Sequence, residues 1–368
     1  MIDHALTEKD VIASASHFDV EGEIVHIEEC LNGHINRTYF LTYNTGKRYV
    51  MQMVNTDIFK KPDEVMENIV GVTEHIRAGY VAQGIDPDRR ALNVIWTKSG
   101  KWGHVDRRNI YWRMYDFVED SDCFMKVESH EMFTKVGYAF GQFQMQLKDF
   151  DASKLHESIP NFHNTEWRFD NLLKAIENNK SGRAHLIEDE IKFALDRKPI
   201  TSFINKGIAD GTLSLRVTHN DTKLNNIMMD KTTGEGICVI DLDTVMPGSV
   251  LADFGDSIRF GASSAAEDET DLDKVYCRLD MFEAYAKGFI AGLEGSLSAS
   301  EIRALPMGAM ILTYETGIRF LSDYLDGDVY FRTEYPNHNL DRARNQFKLV
   351  ADMEQKLEQM NAIVEKYI

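Results

Sequence analysis

Residues 217–244 constrain this chain more than any other stretch, because polar side chains recur there at fixed positions between apolar segments. The polar positions lie on both sides of a glycine-containing turn at residues 231–236, and they are His219, Asp221, Lys223, Asn226 and Asp241. Such a turn favours a reversal between two short strands. The second apolar segment, residues 237–244, is predicted to be a strand that carries Asp241. The sequence therefore predicts a loop and a hairpin that hold these side chains together.

Each of these residue types suits one part of a phosphoryl transfer. Asp221 is predicted to be the base that accepts a proton from an attacking hydroxyl, and Lys223 to place an ammonium where negative charge develops. Asn226 and Asp241 offer the oxygen ligands that Mg2+ takes while it keeps phosphate oxygens and waters. Taken singly, such residues are most often found in turns and caps. Their combination favours a kinase catalytic loop, with Asp221 and Lys223 as catalytic residues and Asn226 and Asp241 as metal ligands.

Length, charge and cysteine content bound the class of protein. With 368 residues the chain exceeds the size at which one core keeps growing, so two lobes are expected. A net charge of -18 argues against a nucleic-acid partner, since phosphate backbones require clustered Lys and Arg. Four scattered cysteines and the lack of a signal-like start or a long apolar run predict a cytoplasmic protein without a membrane partner. A monomer that binds a small-molecule substrate and a nucleotide is expected.

The first third of the chain is rich in strand signals and the remainder in helix signals. Strands are predicted at residues 24–27, 38–43, 48–54, 92–96 and 109–118. Helices are predicted to begin at Pro62 and to cover residues 133–147 and 340–367. On the second of these helices, Gly137 and Gly141 are predicted to allow close packing against a neighbouring helix rather than dimerisation in a membrane.

This layout predicts an α+β, two-lobed, protein-kinase-like fold. The N-terminal lobe, residues 1–113, would hold an antiparallel sheet with a helix. Residues 114–120 would form a hinge. Residues 121–368 would form the larger, mainly helical C-terminal lobe, with the catalytic loop and the site for the acceptor.

ATP is the expected cofactor together with Mg2+, and its adenine is predicted to lie between the lobes against Met114, Tyr115 and Phe117. Protein kinases carry a lysine on the third strand, but Val50 and Gln52 occupy that face here. Gln52 can donate a hydrogen bond to a phosphate without supplying charge, so Mg2+ and Lys223 would have to neutralise more of it. The sequence does not identify a replacement for the lysine.

The segment from His219 to Asp221, with Asn226 and residues 240–243, resembles the aminoglycoside and choline phosphotransferase family of small-molecule kinases. Longer segments are similar to members of that family that act on N-acetylated hexosamines. They are residues 33–36, 216–226, 239–248, 253–262, 319–325 and 327–330. The resemblance therefore extends over nearly the whole chain.

The resemblance implies transfer of the γ-phosphoryl group of ATP to the anomeric hydroxyl of N-acetylglucosamine or N-acetylgalactosamine, with Mg2+, giving the sugar 1-phosphate. It also implies a set of substrate-binding residues, namely His34, Asp221, Asp243, Thr244, Phe260, Arg319 and Tyr330. The preference between the two epimers depends on the shape of the pocket, which a sequence does not reveal.

Several alternatives remain open at this point. The chain could be a kinase of another small hydroxyl acceptor, such as another sugar, choline or an aminoglycoside. It could be a glycosidase in which Asp241 and Asp243 act as paired carboxylates, or a nucleotide-binding module without turnover. The implied sugar residues could instead have ordinary packing roles, and for Arg319 the alternative is a salt bridge to Glu315, four residues earlier on the same helix.

Overall fold

The computed structural model of this protein describes residues 6–30 and 35–368, and its strands form three small sheets. The first is an antiparallel sheet in the order β1-β2-β3-β5-β4, formed by β1 (Ile24–Cys30), β2 (Arg37–Tyr43), β3 (Arg48–Val54), β4 (His104–Val105) and β5 (Tyr111–Asp116). The other two contain β6 (Ser121–Asp122) with β8 (Ile227–Asp230) and β9 (Gly236–Val239), and β7 (Arg216–Thr218) with β10 (Met246–Gly248).

Two helices accompany the first sheet, namely α1 (Glu8–Ala15) and α2 (Pro62–Ala82). The remainder of the chain is mostly helical, with α3 (His130–Gln146), α4 (Thr165–Asn178), α5 (Glu188–Asp196), α6 (Phe203–Asp210), α7 (Val250–Gly261), α8 (Leu279–Gly292), α9 (Ala299–Asp326) and α10 (His338–Val364). The predicted α+β class, with an N-terminal antiparallel sheet and a mainly helical remainder, is confirmed. The lobe boundaries stay a prediction, and the proposed hinge at residues 114–120 begins inside β5.

The predicted strand at residues 92–96 is wrong. The segment runs beside β5 and makes two backbone hydrogen bonds, from Ile95 to the Met114 carbonyl and from Asp116 to the Asn93 carbonyl. A turn at Thr97–Lys101 then directs the chain away, so only an isolated bridge forms. The short β4 pairs with the other end of β5 instead.

Helices α3 and α8 pack with their backbones in contact. A Cβ atom on Gly137 of α3 would lie 2.5 Å from the Tyr285 carbonyl oxygen of α8, and one on Gly141 would collide with the Phe289 carbonyl. The predicted close packing at Gly137 and Gly141 is therefore confirmed. Within the described part of the chain, no helix has both the length and the apolar character needed to cross a bilayer.

The sheet and the helical part share a hydrophobic core. Residues of α2 such as Met66 and Ile69 belong to the same buried cluster as Tyr111 of β5, Phe143 of α3 and Val245. Burying apolar surface from both parts in one cluster couples their stability.

Hydrogen bonds from the buried Asn68 of α2 add a second connection. Its Nδ2 donates to the carbonyls of His156 at 2.8 Å and Val245 at 3.0 Å, and its Oδ1 accepts from the His156 amide at 2.8 Å. Helix α2 is thus fixed to the helical part as well as to the sheet.

Candidate active site

The candidate catalytic loop lies where the two smaller sheets meet. Strand β7 leads into it, and β8 leaves it to pair with β9. The Ile240 amide donates to the Asn226 carbonyl at 2.9 Å. This bond brings the segment that carries Asp241 beside the end of the loop.

Strand β9 is shorter than the predicted strand at residues 237–244. It ends at Val239 because Asp241 has a φ of 58°, in the left-handed region, which interrupts an extended backbone. Residues Leu242–Thr244 then form a 3-10 turn. A non-glycine residue held in this region is often found where side-chain placement matters for function.

His219 organises the loop through both of its ring nitrogens. Nδ1 accepts from the Asp221 amide at 3.2 Å, so the proton must be on Nε2, which donates to the Ile240 carbonyl at 2.9 Å. The rings of Phe140 and Phe143 from α3 contact the imidazole edge to face. His219 is fully buried and therefore acts as a bridge between the loop and the Ile240 segment.

Asp253 of α7 anchors the loop from the other side. Its carboxylate accepts from the amides of His219 at 3.0 Å and Asn220 at 2.7 Å, and from Gln144 Nε2 at 2.7 Å. Burial raises the pKa of Asp253 above its ordinary value. The hydroxyl of Thr222 also donates to the Asp253 carbonyl at 2.6 Å, so α7 holds several consecutive residues of the loop.

The structure brings Asp221, Lys223 and Asn226 together. Lys223 Nζ lies 2.8 Å from Asp221 Oδ1, and Asn226 Nδ2 donates to Asp221 Oδ2 at 3.1 Å and to the Asp221 carbonyl at 2.8 Å. Burial alone would raise the pKa of Asp221, but the Lys223 ammonium lowers it overall. The Asp221 side chain remains a quarter exposed, so an ionised carboxylate is open to solvent.

Asp241 is accessible to solvent. Loss of solvation by the surrounding protein raises the pKa of Asp241 to about 6, and the negative charges of Asp243 and Asp221 add to this effect. This excess of negative charge suits a divalent cation. Within residues 6–30 and 35–368, no three His, Cys, Asp or Glu side chains are grouped to hold a metal by themselves. Oxygens of Asp241 and Asn226 are of the type that Mg2+ prefers, and these two residues would hold it together with phosphate and water.

Asp243 is committed to other residues. It is 4% exposed and pairs through Oδ1 with Nη1 of Arg113, while Oδ2 accepts from Asn36 Nδ2 at 2.6 Å. A carboxylate engaged through both oxygens is poorly suited to exchange protons with a substrate. This argues against the glycosidase alternative, in which Asp241 and Asp243 would act as a pair.

The predicted nucleotide residues lie on β3 and β5 or directly after β5. Val50 pairs with Tyr115, and the buried side chains of Met114 and Tyr115 pack in the cores. Gln52 donates to Thr38 Oγ1 at 3.0 Å and accepts twice from Arg113. Its predicted contact with a phosphate would require these bonds to change, and it stays a prediction.

Several backbone groups near the predicted hinge make no hydrogen bond to described residues. In the described part of the chain, neither the Phe117 carbonyl nor the Glu119 amide has a hydrogen-bond partner. By contrast, the carbonyls of Val118 and Glu119 accept from Ser121 Oγ and from Arg89 Nε. Phe117 itself is half-buried, and the Arg48 guanidinium carbon lies 3.9 Å from its ring centroid.

The residues implied for sugar binding are placed in different settings. His34 lies outside the described residues. Thr244 is buried, and its hydroxyl donates to the His219 carbonyl at 2.7 Å. Phe260 and Tyr330 are 37% and 63% exposed. Their roles toward a sugar stay predictions.

The alternative salt bridge from Arg319 to Glu315 is not formed. The Glu315 carboxylate accepts from His163 Nδ1 at 2.8 Å and from Thr165 Oγ1 at 2.6 Å rather than from Arg319. The Arg319 guanidinium carbon lies 5.7 Å from the Phe162 ring centroid and 5.5 Å from that of Phe331. Among the residues that the structure describes, no hydrogen bond or ion pair engages the Arg319 guanidinium.

His163 links the Arg319 region to the catalytic loop. Its Nε2 lies 2.9 Å from the Asn220 carbonyl, and its Nδ1 bonds the Glu315 carboxylate. Both partners are acceptors, so His163 satisfies both when it is the doubly protonated imidazolium. Burial alone would lower the pKa of His163, but the Glu315 carboxylate raises it overall. Burial and the nearby Arg319 together lower the pKa of Arg168 to about 10.

Four residues of this site were missed by the sequence reasoning. Asp253 lies in a segment that carries the family resemblance, and this could have indicated that it belongs to the site. Arg113 was visible as the lone cation of a mostly apolar strand. The pairing of His163 with Glu315 gave no signal, because these residues meet only in the folded chain, 152 residues apart, and Glu315 was considered only as a partner of Arg319.

The fold and the site together define a kinase-like phosphotransferase that acts on small molecules. The model of the phosphotransferase enzyme family that includes aminoglycoside, choline and ethanolamine kinases matches residues 26–287. This match covers most of the chain, and the protein therefore belongs to that family.

Solved structures of such kinases are similar over nearly the whole chain. An aminoglycoside phosphotransferase from Alicyclobacillus acidocaldarius has 14% identity and a TM-score of 0.62, covering 99% of this chain and 98% of that one. A microcompartment-associated aminopropanol kinase has 15% identity and a TM-score of 0.56, covering 96% and 99%. An amicoumacin kinase in complex with AMP-PNP and Ca2+ has 14% identity and a TM-score of 0.58, covering 95% and 94%. At these identities the likeness shows the fold alone.

Proposed function

We propose that this protein is an N-acetylhexosamine 1-kinase. It would transfer the γ-phosphoryl group of ATP to the anomeric hydroxyl of N-acetylglucosamine or N-acetylgalactosamine and release the sugar 1-phosphate and ADP. The observation that carries the catalytic part is the Asp221 carboxylate, which is ionised, open to solvent and bonded by Lys223 and Asn226. The resemblance of the longer sequence segments supports the acceptor.

Asp221 is proposed to accept the proton of the attacking hydroxyl, and its low pKa keeps it in the form that can do so. Lys223, bonded to the same carboxylate, would place its positive charge beside the transferring group. Asn226 and Asp241 would hold Mg2+, which supplies charge neutralisation to the phosphates when bound. The free Phe117 carbonyl and Glu119 amide support a position for the adenine edge at the hinge.

The charges around Arg319, as distinct from the carboxylates around Asp241, favour a neutral acceptor over a cationic one. Arg319 lies close enough to Arg168 to lower the pKa of Arg168, and the raised pKa of His163 favours its positively charged form, whereas Glu315 is the carboxylate found among them. Choline and aminoglycosides are cationic and would be repelled by this group. A neutral N-acetylated sugar can instead accept hydrogen bonds from a free guanidinium. Several solved relatives are named for amino-bearing acceptors. The charge of the acceptor therefore distinguishes a sugar kinase from a kinase of such amines.

An ADP-release assay over a panel of acceptors tests the proposal directly. The panel contains N-acetylglucosamine, N-acetylgalactosamine, galactose, choline and an aminoglycoside, each with Mg2+ and ATP. We expect turnover with the N-acetylated sugars, and a sugar 1-phosphate as product by phosphorus NMR. Faster turnover with choline or the aminoglycoside would contradict the sugar assignment, while no acceptor-dependent ADP release would contradict this acceptor range altogether.

Arg319→Lys tests the acceptor site, because lysine keeps the charge but loses the planar fork of donors. We expect the KM for the sugar to rise about tenfold, as for the loss of one or two hydrogen bonds from a charged group, with the KM for ATP nearly unchanged. The matched control is Arg303→Lys on the same helix, whose side chain pairs with Glu365 at the surface. If both variants keep wild-type constants, the acceptor lies elsewhere.

A further inference from the structure

The buried positive charge of the five-stranded sheet lies on β5 and not on β3, where protein kinases carry a lysine. Among its described residues, Arg113 of β5 is the only Lys or Arg that is buried, at 1% exposed. Arg113 pairs in register with Gln52 of β3, the position considered for the missing third-strand lysine. The guanidinium therefore emerges beside the place where protein kinases carry that lysine.

The Arg113 guanidinium connects the sheet to the segment after Asp241. Its Nε and Nη2 donate to Gln52 Oε1 at 2.9 and 2.8 Å, and its Nη1 pairs with Asp243. Asp243 also accepts from Asn36. The fork of Arg113 is thus used on two sides at once, which a lysine ammonium at the same place could not reproduce.

Asp243 lies in the turn that sets the backbone of Asp241 and Thr244. Its carbonyl accepts from Ser158 Oγ at 2.9 Å, and the neighbouring Thr244 hydroxyl bonds the His219 carbonyl. Asp241 is held in a left-handed conformation at the start of this turn. A side chain that fixes Asp243 therefore also fixes the direction of the Asp241 carboxylate.

We propose that Arg113 is a positioning residue that takes the place of the third-strand lysine, by holding Asp243 and thereby orienting Asp241 for Mg2+ and nucleotide. The proposal rests on the proposed function only as far as nucleotide and metal are concerned, and it is independent of the acceptor. Partners that orient a metal ligand commonly change metal affinity or activity about 10- to 100-fold when removed.

The test measures Mg·ADP binding by calorimetry and thermal unfolding for Arg113→Met, Arg113→Lys, Asp243→Asn and the double variant Arg113→Met/Asp243→Asn. We expect each single variant to weaken Mg·ADP binding at least tenfold. Because Arg113 acts through Asp243, the affinity of the double variant for Mg·ADP should be no lower than that of the single variant with the lower affinity. It should also regain thermal stability relative to Arg113→Met, which leaves a buried carboxylate unpaired.

The matched control is Arg197→Met, which breaks a bidentate pair with Glu354 of α10, and neither residue belongs to the candidate site. It should lower thermal stability and leave Mg·ADP binding unchanged. If Arg113→Met shows this same pattern, or if the losses of the two single variants multiply in the double variant, the proposal is overturned. Should Arg113→Met fail to fold, binding within twofold of wild type by Arg113→Lys also overturns it.

The acceptor does not enter these measurements, so the two proposals fail separately. A wild-type protein that binds Mg·ADP but phosphorylates no sugar contradicts the proposed acceptor and leaves the comparison of variants valid. A wild-type protein that does not bind Mg·ADP contradicts both.

Discussion

The carboxylate of Asp221 is positioned through its own backbone. Its amide donates to His219 Nδ1, and the two preceding amides donate to the buried Asp253. Fixing three consecutive amides leaves the Asp221 side chain few orientations before any substrate arrives. Such prearrangement reduces the entropy that the transition state must lose.

Asp221→Asn should remove the proposed base and keep the loop conformation, because the backbone hydrogen bonds to Asp253 do not involve the Asp221 side chain. We expect kcat to fall about 10^2- to 10^4-fold with Mg·ATP binding little changed.

Asp241→Ala should instead raise the Mg2+ concentration needed for half-maximal rate as well as lowering kcat. A titration of rate against Mg2+ for both variants distinguishes the roles. Retention of more than about a tenth of kcat by Asp221→Asn would contradict the base assignment.

The His163–Glu315 pair predicts a pH dependence of stability. The folded-state pKa of His163 is raised, so its contribution is complete below the ordinary histidine pKa of about 6.5 and is lost as pH rises through the raised value. The folded-state pKa of Glu315 is lowered, so its contribution is lost as pH falls below about 4.3. We expect His163→Gln to remove the alkaline loss, measured as the difference in melting temperature from wild type between pH 6 and 9. An equal difference at every pH would show that the pair does not titrate.

At the scale of elements, local patterning predicted the regular parts of the fold well. Strands β1 to β3 and helices α2, α3 and α10 were located from side-chain periodicity, turn residues and proline placement, all of which are local signals. Residues 92–96 were mistaken for a strand because their composition is strand-like. The turn that follows limits their pairing with β5, and that pairing depends on an edge that β4 also occupies.

The packing of α3 on α8 predicts a measurable cost for one methyl group. In Gly137→Ala the new Cβ would lie 2.5 Å from the Tyr285 carbonyl, so α8 must shift. Overpacking typically costs about 1–3 kcal/mol, which exceeds the roughly 1 kcal/mol that alanine gains over glycine in a helix. Thermal unfolding should therefore show a melting temperature lowered by a few degrees.

Gly79→Ala on α2 is the control for that substitution. Its Cβ would meet no heavy atom within 4 Å, so only the helix preference of alanine remains. We expect Gly79→Ala to keep or raise the melting temperature. A Gly137→Ala protein as stable as Gly79→Ala would show that α3 and α8 can separate without cost.

At the scale of the whole molecule, the shared cluster of α2, β5 and α3 predicts one cooperative unfolding transition. Neither the sheet nor the helical part can unfold without exposing apolar surface of the other. Scanning calorimetry should give one peak whose calorimetric and van't Hoff enthalpies agree. Two resolved peaks would show that the sheet and the helices unfold independently.

Long-range pairing sets the limit of what the sequence revealed about the site. The candidate catalytic loop was predicted because most of its residues lie within a few positions of one another. Arg113 and Asp243 are 130 residues apart, and each is ordinary in its own segment. Their meeting depends on how β5 lies against the turn after β9, which is decided by tertiary packing.

The three hydrogen bonds of Asn68 bear on how such a protein can be controlled. In signalling kinases the helix that follows the third strand moves to switch activity on and off. Here the corresponding helix, α2, is fixed to His156 and Val245 as well as to the shared core. A helix held in this way is not free to act as a switch. We therefore expect constitutive activity, with a rate set by the concentrations of the substrates rather than by movement of α2.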